Sequence, residues 1–178
     1  MSFWVFGYGS LLWNPGFDAA ETVRARLDDY SRSFCMLSIH HRGTDEHPGL
    51  VLALDQSAGK TCTGLALRVA DDDHGRVLAY LRERELISSA YVEDTVTLHA
   101  DDGRALTALA YVINREHEQY CNFPLEEQAQ RIAHATGGRG PNTEYLYNTT
   151  QMLDEIGVRD DDMTWLTGRV RELAGDTA

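Results

Sequence analysis

The hydrophobic pattern of this 178-residue chain changes its period near residue 120. Before that point apolar residues come in short runs bounded by glycine, aspartate and asparagine. After it they recur every three or four positions. Short runs between turn residues mark β-strands, and a 3.6-residue period marks helices buried along one face. The first run, Phe3-Trp4-Val5-Phe6, leads into Gly7-Tyr8-Gly9-Ser10 and reads as a buried strand ending in a glycine-rich turn. Further strands are expected over residues 34–39, 50–54, 63–69, 92–99 and 105–113, with Asp101-Asp102-Gly103 turning a hairpin between the last two. One helix, over 71–86, interrupts them and buries Val77, Leu78 and Leu81.

Three helices are expected in the C-terminal third. Pro124 opens the first, which buries Leu125, Ala129 and Ile132 and closes at Gly137-Gly138. Asn142 is placed to cap the second, with Leu146, Thr149, Leu153 and Ile156 facing inward and Gly157 after its end. Asp160 and Asp161 begin the third, which buries Met163, Leu166, Val170 and Leu173. Repeated strand–helix–strand units are missing, so the order points to an α+β fold rather than a doubly wound sheet. Many short strands with few crossovers point to a curved or closed sheet with helices outside it. No repeat or low-complexity linker divides the chain, and one domain over residues 1–178 is expected.

Charge and cysteine usage exclude several functions. Lys and Arg number 16 and Asp and Glu 28, a formal net charge of −12. Such a body repels phosphate backbones and anionic lipid, so neither nucleic acid nor a membrane is an expected partner. Cys35, Cys62 and Cys121 are far apart and form no C-x-x-C pair. A zinc knuckle, a redox dithiol and a disulfide framework are not expected, and the reducing cytoplasm is the expected compartment. No apolar run approaches the ~20 residues that span a bilayer, and the N-terminus lacks a signal-peptide pattern.

Four features carry possible chemistry. The Gly7-Tyr8-Gly9-Ser10-Leu11 turn lacks the third small residue of a dinucleotide fingerprint, because position 12 is Leu12. It also lacks the second glycine of a nucleophile elbow. What remains is either a plain tight turn or a bend whose backbone N–H groups receive a carboxylate or an oxyanion. The second feature is Glu85, which continues the apolar stripe of Leu78 and Leu81 while its neighbours Arg82, Glu83 and Arg84 point elsewhere. Burial and the negative helix end both disfavour its charge, which suits a general base and acid. The alternative is one half of a buried ion pair with Arg42 or Arg32. In the third feature, His40-His41-Arg42-Gly43, adjacent histidines on a strand face opposite ways and offer no shared metal site. Arg42 is instead a candidate to grip a substrate carboxylate. The fourth is Tyr145, whose ring is expected to pack inward while its hydroxyl finds a partner. A serine or cysteine hydrolase built on Ser10 or Cys35 has no support in the local spacing.

At these residues the sequence resembles a known family. The segment from Phe3-Trp4-Val5-Phe6-Gly7-Tyr8-Gly9-Ser10-Leu11 to Leu12-Trp13 is similar to the start of the ChaC family, the glutathione-specific γ-glutamylcyclotransferases. The similarity recurs at His41-Arg42-Gly43, at Tyr80-Leu81-Arg82-Glu83-Arg84-Glu85, at Gly140-Pro141-Asn142-Thr143-Glu144-Tyr145-Leu146 and at Val170-Arg171-Glu172-Leu173. The resemblance implies a small closed mixed β-barrel with flanking helices, the γ-glutamylcyclotransferase-like fold. It implies that Glu85 is catalytic and that Tyr8, Gly9, Ser10 and Leu11 bind the γ-glutamyl group, with Tyr145 in support. Family members usually carry a glycine shortly before the aromatic that follows the catalytic helix; this chain has Ser88-Ser89-Ala90-Tyr91 there. That departure bears on the choice of leaving group.

The reaction implied is intramolecular aminolysis, in which the α-amino group of a γ-glutamyl unit attacks its own γ-carbonyl. Glutathione would yield 5-oxoproline and Cys-Gly, with no metal or organic cofactor. Holding a folded conformer can supply up to ~7–11 kcal/mol of such a barrier. The alternatives are the same chemistry on other γ-glutamyl amino acids or amines, and a non-catalytic γ-glutamyl-binding regulatory protein.

Overall fold

The computed structural model describes residues 3–86 and 89–176. Its five long strands are β1 (Phe3–Gly7), β2 (Glu21–Ser38), β3 (Gly49–Val69), β4 (Tyr91–Ala100) and β5 (Ala105–Ile113). They close into a barrel in the order β1-β3-β2-β4-β5. β1 completes the circuit by pairing antiparallel with β3, from Phe3↔Val69 to Gly7↔Leu65, and parallel with β5 at Trp4↔Ala108 and Val5↔Leu109. The parallel pairings make the barrel mixed, and its closure removes exposed strand edges. The expected α+β class and closed mixed barrel are therefore what the chain adopts.

The chain divides into two compact units. One holds the residues up to Ser33 together with Ala53–Glu118, and the other holds Phe34–Leu52 together with the residues from Gln119 onward. In the first unit the inner core is Val5, Phe6, Leu54, Ala66, Leu81, Leu98 and Tyr111, each almost entirely buried. This unit also carries α1 (Ser10–Trp13), a 3₁₀ turn at Asp71–Asp73 and α2 (His74–Glu85). β4 and β5 form the expected hairpin, with Gly103 at φ 94° in the turn.

Two strand expectations change. Residues 34–38 are the end of β2, which already begins at Glu21, and Ile39 lies in the bend after it; residues 50–54 and 63–69 belong to one strand, β3. The charged, exposed positions of 21–33 hide their strand character, since only Ala25 and Leu27 are buried there. The polar stretch between the two halves of β3 contains Gly59 at φ 82°, and β2 contains Asp29 at φ 67°. The Gly59 N–H donates to Asp29 Oδ1 at 3.0 Å, so the two irregular positions satisfy each other.

The second unit is built on α3 (Leu125–His134), α4 (Asn142–Glu155) and α5 (Asp161–Ala174). Ile132, Leu146, Leu153, Leu166 and Val170 form its core, as the helical period predicts. Asp160 caps α5 by accepting from the Met163 N–H at 3.1 Å. After α3, residues 136–141 form a two-stranded ribbon, β6 (Thr136–Gly137) against β7 (Gly140–Pro141), rather than a simple stop at the glycines.

Asn142 does not cap α4, whose N-cap is Pro141. Its side chain is wholly buried, and the amide grips one residue of β3: Oδ1 accepts from Leu50 N–H at 2.7 Å and Nδ2 donates to Leu50 O at 2.9 Å. An exposed cap would satisfy one helix donor; this amide satisfies both backbone groups of a buried strand residue. Asn142→Ala removes both bonds and leaves two buried groups wanting. A stability loss of about 2–4 kcal/mol is expected from urea denaturation.

Candidate active site

The turn after β1 is held from several sides, all within the first unit. Tyr8 is buried; its hydroxyl donates to the Tyr111 carbonyl at 2.7 Å, and its own carbonyl accepts from Arg32 Nε at 2.7 Å. Arg32 Nη2 also donates to the Thr63 carbonyl on β3. Ser10 then opens α1, and Leu11 and Leu12 are buried beneath it. β3 passes close by because it carries a glycine at this point. A Cβ on Gly64 would lie 2.3 Å from the Gly7 carbonyl oxygen.

Glu85 ends α2. Val77 and Leu81 are the buried residues of that helix, and the Glu85 side chain is only 12% exposed. Its partner is a neighbour that the helical period places on another face. Arg84, 6% exposed, brings Nε to 3.3 Å from Glu85 Oε1. Its Nη2 donates to Ser10 Oγ at 3.0 Å, and its Nη1 donates to Asn14 O at 2.6 Å and Tyr80 OH at 3.1 Å. The expectation that Arg84 points away is corrected, as is the pairing of Glu85 with Arg42 or Arg32. Arg32 instead donates to backbone carbonyls, and Arg42 pairs with Glu144 at 3.2 Å. Glu85 and Ser10 are thus brought together through one guanidinium.

Three further side chains border this cluster. Tyr111 OH donates to Glu93 Oε1 at 3.0 Å, and Arg82 grips the same carboxylate through Nε at 3.2 Å and Nη2 at 3.0 Å. Burial, and after it the negative charge of Glu93, push the Tyr111 phenol far above its usual range. Glu85 adds a smaller push in the same direction, so its carboxylate lies within electrostatic reach of that phenol. Sequence reasoning missed Tyr111 and Glu93, although a signal for them existed. The Asp101-Asp102-Gly103 turn sets the register of β4 against β5, and that register makes Glu93 and Tyr111 direct cross-strand partners. An open apolar groove of ≈ 590 Å³, lined by Phe3, Trp4, His74, Leu78 and Leu109 among others, flanks the opposite end of α2 and includes none of the expected site residues.

Arg42 and Tyr145 belong to the second unit. Arg42 is buried, and its Nη1 donates to the Pro141 carbonyl at 3.0 Å and to Glu144 Oε1 at 3.2 Å. The Tyr145 ring packs against Phe34 and lies under the Arg42 guanidinium at 5.8 Å. Its hydroxyl accepts from the Leu52 N–H at 3.1 Å, so the inward ring and partnered hydroxyl are as expected. His40 and His41 lie in a bend beyond β2 rather than on a strand. Their carbonyls accept from Gly138 and Arg139 at 2.7 and 2.9 Å. The backbone around Arg42 is packed against glycines: a Cβ on Gly49 would lie 2.3 Å from the Arg42 carbonyl, and one on Gly137 would lie 2.6 Å from its nitrogen. Ser88 of the departing loop lies outside the described residues; Ser89 is exposed and Ala90 buried.

The profile of the family described as ChaC-like protein matches residues 3–173. The chain belongs to the ChaC-like family. Curated ChaC-like relatives include a glutathione-specific γ-glutamylcyclotransferase of Escherichia coli, 34% identical over 97% of this chain and 74% of the relative. γ-Glutamylcyclotransferase 2-1 of Arabidopsis thaliana is 35% identical over 97% of this chain and 83% of its own length. Among solved structures, a yeast γ-glutamylcyclotransferase specific to glutathione superposes with a TM-score of 0.88 at 23% identity, covering 97% of this chain and 96% of that one. The barrel is therefore the fold of that yeast enzyme. In this chain it rests on the close pass at Gly64. Gly64→Ala is expected to push β3 off the Gly7 carbonyl and to lower stability by about 1–3 kcal/mol in urea denaturation.

Proposed function

We propose that this protein is a glutathione-specific γ-glutamylcyclotransferase that converts glutathione to 5-oxoproline and Cys-Gly. Its membership of the ChaC-like family, with glutathione-specific relatives in bacteria, yeast and animals, supports the reaction class and the substrate. The observation that carries the residue assignment is the nearly buried Glu85 carboxylate, joined through Arg84 to the hydroxyl of Ser10 in the glycine turn. Residues 1–178 act as one functional domain in this reading, in keeping with a family match that runs through both compact units.

The substrate carries its own nucleophile, so the protein has to fold and hold it rather than supply an attacking group. The α-amino group is an ammonium at neutral pH. Glu85 accepts its proton, the amine attacks the γ-carbonyl, and a tetrahedral oxyanion forms. Backbone N–H groups of the Gly9–Ser10 region stabilise that oxyanion or hold the substrate's α-carboxylate. Glu85 then returns the proton to the Cys-Gly nitrogen as its bond to the γ-carbon breaks. The ring nitrogen, already bonded to that carbon, gives its second proton through solvent to the released amine, leaving 5-oxoproline and Cys-Gly as its ammonium form. Tyr8 and Leu11 complete the turn that binds the γ-glutamyl group, and Tyr145 keeps the supporting role that the family pattern assigns it. Arg42 is read as a cation for a substrate carboxylate that already bonds Pro141 and Glu144. The balance of acidic residues fits a small polar substrate rather than nucleic acid, and the buried cysteine thiols fit a reducing cytoplasm.

The decisive assay incubates the purified protein with glutathione and, separately, with γ-glutamyl amino acids and amines, and follows 5-oxoproline by mass spectrometry. 5-Oxoproline and Cys-Gly from glutathione are expected. Release from the other compounds alone would assign a different leaving group, and no release from any would make the protein a binder. Glu85→Gln preserves shape and removes the proton carrier, so turnover is expected to fall at least ~100-fold in protein that still folds, while the urea midpoint drops because the buried Arg84 charge loses its partner. Ser10→Ala retains the backbone donors and is expected to be milder, about 10-fold or less, as read from kcat/KM. A complete loss in folded Ser10→Ala would give the hydroxyl itself a part in the chemistry.

A further inference from the structure

We infer that Arg84 is a positioning residue for the reaction: it aims the Glu85 carboxylate and ties it to the glycine turn. This rests on the reading of Glu85 as the proton carrier. Consecutive helical residues project about 100° apart, so an arginine and the glutamate after it do not pair by helix geometry. Here they lie 3.3 Å apart at the last turn of α2 because the guanidinium is drawn to that place by other groups. Tyr80, one turn earlier on the same helix, receives Nη1 at 3.1 Å. The Asn14 carbonyl, just past α1, receives the same nitrogen at 2.6 Å, and Ser10 Oγ receives Nη2 at 3.0 Å. Glu85 completes the set on the Nε side.

The segment that presents the Asn14 carbonyl is itself located. Gly16 has φ +78°, and a Cβ there would lie 1.9 Å from the Tyr80 hydroxyl oxygen, so the chain lies directly on the ring that also holds Arg84. The planar fork therefore reads three fixed points before it meets the carboxylate. Only an arginine can do this, because its donors are rigidly spaced and its charge persists when buried. With 6% of its side chain exposed, that charge acts on Glu85 with little solvent screening. Two consequences follow for the reaction. The carboxylate keeps one orientation toward the substrate amine, and a fixed cation favours its ionised form, the form that accepts the proton. A purely structural tether would hold α1 to α2 and influence neither.

The test compares the intact enzyme with Arg84→Gln, Arg84→Lys and Glu85→Gln, using glutathione turnover across pH together with urea denaturation. For Arg84→Gln a fall in kcat of about 100-fold is expected, the size seen when a reacting group is misplaced by about an ångström. Its KM stays near the parent value. The acidic limb of kcat/KM moves to higher pH, because the carboxylate has lost its neighbouring cation. Arg84→Lys keeps the charge and so keeps the limb in place, but one ammonium cannot meet all four partners, and kcat still falls. Parent kcat and an unmoved limb in folded Arg84→Gln overturn the inference, even if stability drops. If Arg84→Gln does not fold, Arg84→Lys decides: reduced kcat with the parent limb supports the role, and parent kcat overturns it. Glu85→Gln separates the two claims. Should it turn over normally, the assignment of Glu85 fails whatever the Arg84 variants do.

Discussion

Barrel closure by β1 is the constraint from which the rest of the first unit follows. A five-residue strand pairs antiparallel with β3 on one side and parallel with β5 on the other. Both ladders end near Gly7, so the chain leaves the barrel at one definite point and must turn there. Tyr8 sends its hydroxyl back to β5 while its carbonyl takes a bond from Arg32 of β2. The turn is therefore bonded to two other strands of the barrel it leaves. Gly64 on β3 is the steric condition for this arrangement, since any side chain there would meet the Gly7 carbonyl. A turn that looks like a flexible glycine loop in one dimension is a rigid corner in three.

The cluster beside that corner handles buried charge by close pairing. Arg84 and Glu85 are both largely hidden, as is Glu93 under Arg82. Isolated ions in such places would be costly, and each here has an opposite charge within hydrogen-bonding or near-contact distance. Tyr111 joins the two carboxylates electrostatically: its phenol bonds Glu93 and feels Glu85. The second unit solves a different problem with amides and glycines. Asn142 satisfies both backbone groups of Leu50, and Gly49 and Gly137 let the backbone of Arg42 approach without a side chain between. Arg42 in turn bonds the first residues around α4 through Pro141 and Glu144.

Much of this was legible in one dimension. The short apolar runs marked β1, β4 and β5, and the period of 3.6 marked α2, α4 and α5 and most of their buried residues, although Leu78, Ile156 and Leu173 stay partly exposed at the rims of those stripes. Glu85 stood out as a carboxylate on an apolar stripe. The strand from Glu21 to Ser33 was hidden because its exposed positions carry charge and only Ala25 and Leu27 face inward. Asn142 was misread for a related reason. An asparagine before a helix matches the local signature of a cap, whereas its true partner is a strand residue 92 positions away.

What the sequence alone determined is the set of local preferences: which segments are strands, which are helices, where the chain can turn, and which carboxylate sits among apolar neighbours. These depend on residues within a few positions of one another, and periodicity records them. Only the tertiary structure decided the partner of that carboxylate, because helical spacing sends Arg84 to another face and bonds from Tyr80, Asn14 and Ser10 bring it back. It likewise decided that Tyr111 and Glu93 belong beside it. Side-chain pairing across distant segments is set by where closure of the barrel puts their backbones, and no short-range pattern encodes that distance.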